Sequence, residues 1–309
     1  MIKDKVLFTV FTPTYNRANV LHRVYESLCA QTFRNFEWLI VDDGSTDNTY
    51  ELVKSWQNSP KTWFPIRYIR QKHGHKKTAF NRGVKEARGE LFLPLDSDDR
   101  CVPHALERFA YHWFNIPEKE RSKFAGVTAL CVDEKGNIIG TPFPCKHWMD
   151  SDNLEIKYRY KVKGDKWRFI RTDILRQFPF PEHIPGHVPE SVVWSQIARL
   201  YKTRFVNEPL LICHNDANNR LSNTKDPAKY ALGHLYWKQQ ILSNEIDYFR
   251  YDPLTFILDA IRLTRFYLHC KNKKDIKYLP DSTLGKILTI TGAPFGLLWY
   301  LIDKWRFKL

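Results

Sequence analysis

The sequence predicts an α/β fold: a mostly parallel sheet flanked by helices, followed by a helical C-terminal extension. Two observations predict it. Through the first hundred residues, short apolar β-rich runs alternate with segments of helical periodicity, and from Pro227 onward the pattern is helical throughout. A βαβαβαβ order implies parallel strands joined by right-handed crossovers. The chain has 309 residues, 43% hydrophobic and 15% aromatic, which is ample for a core and excludes a disordered chain. Residues 1–215 read as the α/β domain, in halves 1–110 and 111–215, and residues 216–309 as the extension.

The elements follow in order. Residues 6–11 form an apolar strand ending in Thr12-Pro13-Thr14. Residues 16–30 carry Val20, Val24 and Leu28 at helical spacing. Residues 36–41 are a second buried strand, closed by Asp42-Asp43-Gly44-Ser45. The next helix has Thr46 or Asp47 as its cap and Tyr50, Val53 and Trp56 inward. Residues 66–69 are a short strand, 78–88 a helix closed by Gly89, and 90–95 a fourth strand. Further on, 124–132 and 138–141 read as strands around Glu134-Lys135-Gly136-Asn137. Residues 169–178 mix strand and helix, 188–202 form a helix and 204–213 a strand.

The formal net charge of +14 favours polyanionic partners: nucleic acid, anionic lipid or phosphorylated small molecules. No helix-turn-helix, Cys/His finger or aromatic RNA-binding motif is legible, so nucleic acid is not expected as a partner. The six cysteines form no CxxC pair and read as reduced core thiols. The apolar run at 6–11 is too short for a secretory leader, and a cytoplasmic location is expected.

In an open parallel sheet, ligands bind outside the carboxyl ends of the strands. Here those ends carry Pro13-Thr14-Tyr15-Asn16, Asp42-Asp43-Gly44-Ser45 and Asp96-Ser97-Asp98-Asp99. Three carboxylates within four residues are explained either by a solvated turn or by a divalent cation, since Mg²⁺ and Mn²⁺ take hard oxygen ligands from carboxylates and phosphates. The Asp42-Asp43 turn is likewise either a strand-to-helix turn or an acceptor for a base or ribose. Lys72-His73-Gly74-His75-Lys76-Lys77 is either a solvated basic loop or a phosphate neighbour; His73 and His75 lack a third zinc ligand nearby.

Taken together, the ordered motifs resemble a family 2 glycosyltransferase. They are Phe11-Thr12-Pro13-Thr14-Tyr15-Asn16-Arg17, Gln31-Thr32-Phe33, Val41-Asp42-Asp43-Gly44-Ser45-Thr46-Asp47, Asn81-Arg82-Gly83, Ala87-Arg88-Gly89-Glu90 and Leu95-Asp96-Ser97-Asp98-Asp99. The resemblance covers about residues 5–110 and continues loosely to about 215. It implies a GT-A fold, an inverting mechanism, a nucleoside-diphosphate sugar donor, with a UDP-sugar first among them, and Mg²⁺ or Mn²⁺. Residues 1–110 would be the donor half and 111–215 the acceptor half. Pro13, Thr14 and Tyr15 would line the nucleobase pocket, Asp43 would accept from the base, and Asp42 would support the turn. Asp96 would face ribose or metal, Asp98 would be the chief metal ligand, and Lys76 would lie by the diphosphate.

An inverting transferase also needs a base to deprotonate the acceptor hydroxyl. The family supplies it from a Glu-Asp pair opening a later helix; here the segment reads Pro189-Glu190-Ser191, which leaves Glu190 as the base, with Asp165 and Glu182 as substitutes. Trp167, Arg168 and Trp194 are either acceptor contacts or packing. Residues 287–302 are apolar but contain Pro294, and as a straight helix would reach only ~24 Å. With the basic aromatic tail they suggest, over 284–309, an anchor on an anionic membrane surface or a packed helix. The resemblance then implies a saccharide or lipid-linked saccharide acceptor at the inner face of the cell membrane, in bacterial surface polysaccharide assembly. Two other functions compete: a sugar-phosphate nucleotidyltransferase, which would want a Gly-rich phosphate loop where Thr12-Pro13-Thr14-Tyr15 stands, and a non-catalytic membrane-docking scaffold.

Overall fold

The computed structural model describes residues 6–214, 216, 226–271 and 276–307. The chain divides into two compact units. One holds the residues up to Ile156, Tyr160–Pro179 and the stretch from Ile197; the other holds Lys157–Arg159, Phe180–Gln196 and the C-terminal helices.

Among the described residues, the first unit contains a nine-stranded mixed sheet. Its strands are β1 (Phe8–Thr14), β2 (Phe36–Asp42), β3 (Ile66–Arg70), β4 (Leu91–Pro94), β5 (Arg100–Cys101), β6 (Phe124–Val132), β7 (Trp148–Ser151), β8 (Lys166–Arg171) and β9 (Lys202–Ile212). They run in the order β3-β2-β1-β4-β8-β6-β9-β5, and β7 pairs with β9. The helices are α1 (His22–Cys29), α2 (Thr49–Gln57), α3 (His75–Glu86), α4 (Ala105–Phe114), α5 (Glu118–Arg121), α6 (Asn153–Tyr158) and α7 (Thr172–Leu175), and α8 (Ser191–Ala198) begins in the second unit.

The parallel expectation holds for β3, β2, β1 and β4, joined by α1, α2 and α3. Beyond β4, the sheet turns mixed: β8 is antiparallel to β4 and β6, whereas β6 and β9 are parallel. β1 and β2 are buried almost throughout, as strands covered on both faces must be. Two acidic residues of β2, Glu37 and Asp42, are buried among them. Glu37, in β2, accepts from Thr9 Oγ1 (2.8 Å) and Arg88 N (2.9 Å) and pairs with Arg67 (3.2 Å). This knot ties the amino-terminal part of the sheet, away from the strand ends that carry the acidic turns.

Several local expectations need correction. The first helix is shorter than 16–30, because residues 17–21 form turns before α1 begins at His22. Tyr50 is exposed rather than inward; Thr49, Val53 and Trp56 form the buried stripe of α2. Residues 138–141 form no strand, and Ile138 makes only an isolated bridge to Val132. Gly89 does not close α3, which ends at Glu86 with an extended Ala87 after it. A Cβ on Gly89 would lie 2.3 Å from Thr9 N, so the residue is small because β1 passes directly beneath it.

The second unit is helical. It contains α9 (Ala231–Asn244), a 3₁₀ turn (Ile246–Arg250), α10 (Pro253–His269) and α11 (Thr283–Phe307). Ile184, Val188 and Val192 pack there against Leu232, Tyr236 and Trp237. Asp252 caps α10 by accepting from Thr255 N, with Pro253 at the first turn. A buried Lys238–Asp259 pair (2.8 Å) joins α9 to α10. The C-terminal apolar segment 287–302 is part of a longer helix: α11 has 25 residues and runs through Pro294.

Gly89→Ala should destabilise the fold by about 1–3 kcal/mol, the usual cost of forcing a methyl into a filled space. A urea midpoint equal to that of the wild type would show that β1 and β4 can shift to admit it.

Candidate active site

Backbone hydrogen bonds carry the parallel register past the strand ends. Asp43 N donates to Thr14 O (2.8 Å), Gln71 N to Asp42 O (2.8 Å) and Leu95 N to Phe11 O (2.8 Å). Pro13, Thr14, Tyr15, Asp42, Asp43, Lys76, Asp96 and Asp98 therefore all lie at one edge of the first unit. Glu190 belongs to the second unit, just before α8, where its carbonyl accepts from Val193 N (3.0 Å) and Trp194 N (3.3 Å).

The turns after β1 and β2 are laced together. Asn16 N donates to Ser45 Oγ (2.8 Å), and Asn16 Oδ1 accepts from Thr46 N (2.7 Å). Asn16 adopts a φ of 52°, a left-handed conformation that asparagine tolerates better than most residues. Gly44 has a φ of +88°, which suits a residue without a Cβ. Asp42 is buried and both of its oxygens are used, one by Ser45 N (2.7 Å) and the other by the Tyr68 hydroxyl. Burial, with that carboxylate as acceptor, pushes the Tyr68 phenol pKa upward. Asp42 therefore holds the turn.

Asp43 is also buried. Its Oδ1 accepts from Gln71 Nε2 (2.8 Å) and Gly74 N (2.9 Å), and its Oδ2 lies 2.9 Å from His73 Nδ1. A carboxylate has about four lone-pair sites, so one acceptor position remains on Oδ2. His73 lies over Tyr15, with ring centroids 4.4 Å apart. That makes His73 part of the shelf formed by Asp43 and Tyr15, a role that its place in a basic loop does not disclose. Beside it, Thr14 Oγ1 is buried with no hydrogen-bond partner among the described residues.

In the acidic turn after β4, each of the first two carboxylates faces a cation. Lys76 Nζ lies 2.8 Å from Asp96 Oδ1, and Arg17 lies 3.5 Å from Asp98 Oδ2. Asp99 turns elsewhere and accepts from His214 N (2.9 Å), fastening the end of β9. Lys77 is buried and does not share the position of Lys76. Trp167 is buried too; its indole donates to Pro94 O (2.6 Å) and its ring meets Phe109, so it supports β4 from within the core. Arg168 bonds Asn153 (3.1 Å) and Trp194 lies edge-on to Phe180, while Asp165 and Glu182 are exposed.

A neighbouring group was not legible in the sequence. Glu134, His214 and Asp216 each bring one potential metal-ligand atom to within 4.8 Å of the others. Arg23 grips both oxygens of Asp216 (2.8 and 2.6 Å) and holds its pKa down to about 2. His214 Nδ1 meets Glu134, whereas its buried Nε2 has no partner among the described residues. Glu134 is 80 positions from His214 in sequence, and the docking of β9 beside β6 and β5 unites them.

The fold and its acidic strand-end turns define a GT-A-like domain with a family 2 signature. Residues 9–119 match the family model Glycosyl transferase family 2. Among curated relatives, an uncharacterized glycosyltransferase of Rickettsia conorii is 32% identical over 135 residues, covering 43% of this chain and 21% of that protein. The chain spans 21–39% of the length of such relatives from three Rickettsia species. The GalNAc(5)-diNAcBac-PP-undecaprenol beta-1,3-glucosyltransferase of Campylobacter jejuni is 25% identical over 247 residues, covering 77% of this chain and 74% of that one. Among solved structures, residues 1–349 of S. aureus TarS in complex with UDP-GlcNAc superpose with a TM-score of 0.60 at 19% identity, covering 93% of this chain and 79% of that chain. The mannosyltransferase PcManGT from Pyrobaculum calidifontis, in complex with GDP-Man and Mn²⁺, gives 0.51 at 18% identity, covering 96% and 83%. At these identities the structural likeness speaks for the fold.

Asp42→Ala would strand Ser45 N and the Tyr68 hydroxyl. It should cost about 1–3 kcal/mol of stability, the penalty for unpaired buried polar groups. Chemical denaturation measures it, and an unchanged free energy would mean that the turn does not need the carboxylate.

Proposed function

We propose that this chain is an inverting glycosyltransferase that moves a sugar from a nucleoside diphosphate, UDP in the first instance, to an acceptor hydroxyl. The observation that carries the reading is the pairing of Asp96 with Lys76 and of Asp98 with Arg17 at the end of β4. A diphosphate and a divalent cation bring the same mixture of charges to such a place. The donor set fits Mg²⁺ or Mn²⁺: Asp96 and Asp98 offer hard carboxylate oxygens together in the turn after β4. Asp96 and Asp98 would hold the metal. When bound, it would offset negative charge on the diphosphate leaving group.

The chain's own groups account for the rest. Tyr15, Asp43 and His73 form a shelf for the nucleobase, with Oδ2 of Asp43 as the acceptor and Thr14 Oγ1 as a further polar contact. Lys76 and Arg17 turn from the carboxylates to phosphate oxygens, balancing the charge that grows on the departing diphosphate. Glu190 takes the proton from the acceptor hydroxyl. The acceptor oxygen bonds to the anomeric carbon from the face opposite the diphosphate as the carbon–oxygen bond to the β-phosphate breaks, which inverts the configuration. Support for a lipid-linked saccharide acceptor comes from the name of the Campylobacter relative.

Two variants test the reading. Asp98→Asn should keep the fold and lose most of the metal-dependent thermal stabilisation that UDP-sugars confer, screened beside GDP- and dTDP-sugars. Wild-type stabilisation and turnover in that variant would remove Asp98 from the site. Glu190→Gln keeps the shape but cannot take a proton, so turnover should fall roughly 10²–10⁴-fold with donor affinity near normal. Transfer at the wild-type rate in single-turnover experiments would pass the role of base to Asp165 or Glu182.

A further inference from the structure

The packing of α11 is inverted relative to an ordinary surface helix, which turns its large apolar residues inward. Its buried seam is Gly285, Thr289, Gly292, Gly296 and Asp303. The glycines let the backbone approach its neighbours: a Cβ on Gly292 would lie 3.2 Å from Ile261 Cγ1, and one on Gly296 would lie 2.6 Å from Ile261 O. The large residues Ile287, Ile290, Phe295, Leu298, Leu301 and Trp305 are exposed, Phe295 at 63% and Trp305 at 84%. Only 22% of the most apolar 18-residue stretch of the helix is buried, where a core helix would be mostly buried.

The charges on α11 are sorted as strictly. Its single acidic residue, Asp303, is buried and paired with Arg265 (2.5 and 2.8 Å) and His269 (2.9 Å). The charged residues on the outside, Lys286 near one end and Lys304 and Arg306 near the other, are all basic. The outer face is therefore apolar in the middle and cationic at both ends, with Trp305 at one of them. An apolar stripe between cations complements hydrocarbon bordered by anionic headgroups. A second copy of the same face would meet it with like charges at both ends in either orientation, which disfavours self-association.

We infer that the outer face of α11 docks on a bilayer bearing anionic headgroups, lying in the interface rather than crossing it. At 25 residues the helix is long enough to span, about 37 Å at the usual rise. Crossing is opposed by its seam. Asp303, Arg265 and His269 would have to enter hydrocarbon with α10, or separate and leave unpaired charges there. In the interface, the seam stays closed on α10 and the exposed face alone meets lipid. This inference does not rest on the catalytic reading, because lipid binding is measured without donor or acceptor.

The test is flotation of the full chain with vesicles of phosphatidylcholine alone and of phosphatidylcholine mixed equally with phosphatidylglycerol. Binding should favour the anionic vesicles, weaken in high salt, and be released by alkaline carbonate. Ile290→Glu with Leu298→Glu alters only exposed positions and should reduce binding about tenfold or more while leaving the circular dichroism melt unchanged. Lys286→Glu with Lys304→Glu should abolish the preference for anionic vesicles. Failure of the wild-type chain to bind either vesicle overturns the inference. So does vesicle binding untouched by both variants, or resistance to carbonate, which would mean a spanning helix. Concentration-dependent dimerisation that the Ile290/Leu298 variant abolishes, without vesicle binding, would assign the face to a second copy.

Discussion

The parallel pairing of β1 with β2 on one side and β4 on the other is the constraint on which the site depends. Parallel strands require crossovers, and crossovers put every strand's carboxyl end on the same edge. Phe11 faces Pro94, and Thr14 faces Asp42. The register leaves Tyr15, Asp43 and Asp96 little freedom to move apart. The buried Glu37 knot and the close passage of β1 beneath Gly89 hold the other end of the same strands. A slip of one residue would exchange the faces of β1 and scatter the acidic turns together.

At this edge the protein answers its own charges. Lys76 and Arg17 stand against Asp96 and Asp98, and His73, Gln71 and the Gly74 amide converge on Asp43. Under the proposed function, an incoming ligand with both a cation and phosphates would replace each of these internal contacts with one of the same kind. Asp42 and Asp99 differ: their bonds tie the turn after β2 and the end of β9, and so keep the other acids in place. Four similar aspartates thus divide into two that tie the backbone and two that face side-chain cations, with Asp43 between, anchored yet retaining an acceptor position.

The helical unit follows another logic. Its interior contains ion pairs, Lys238 with Asp259 and Arg265 with Asp303, while its surface carries large apolar side chains along α11. Burial lowers the Lys238 pKa to about 8 against the opposing pull of Asp259. Breaking such a pair by removing one partner is costly, because the other charge stays buried. The pairs therefore hold α9, α10 and α11 in register, and the small residues of α11 let its backbone come close enough for them to form.

The sequence by itself determined the α/β alternation, the four parallel strands and the positions of the acidic turns at their ends. Those are local properties: apolar β-rich runs, helical spacing and Gly or Asp at turns act over a few residues. The family 2 resemblance was legible for the same reason, since its motifs are short and ordered along the chain. Only the tertiary structure decided which aspartates are supports, that His73 lies over Tyr15, that Glu134, His214 and Asp216 meet, and that Gly89 is small for β1's sake. It also decided which way α11 faces. Composition alone shows that 287–302 is apolar, but glycines on the seam and a buried Asp303 turn that apolar face outward. Each of these rests on contacts between residues far apart in sequence, which follow from how strands and helices pack rather than from any local pattern.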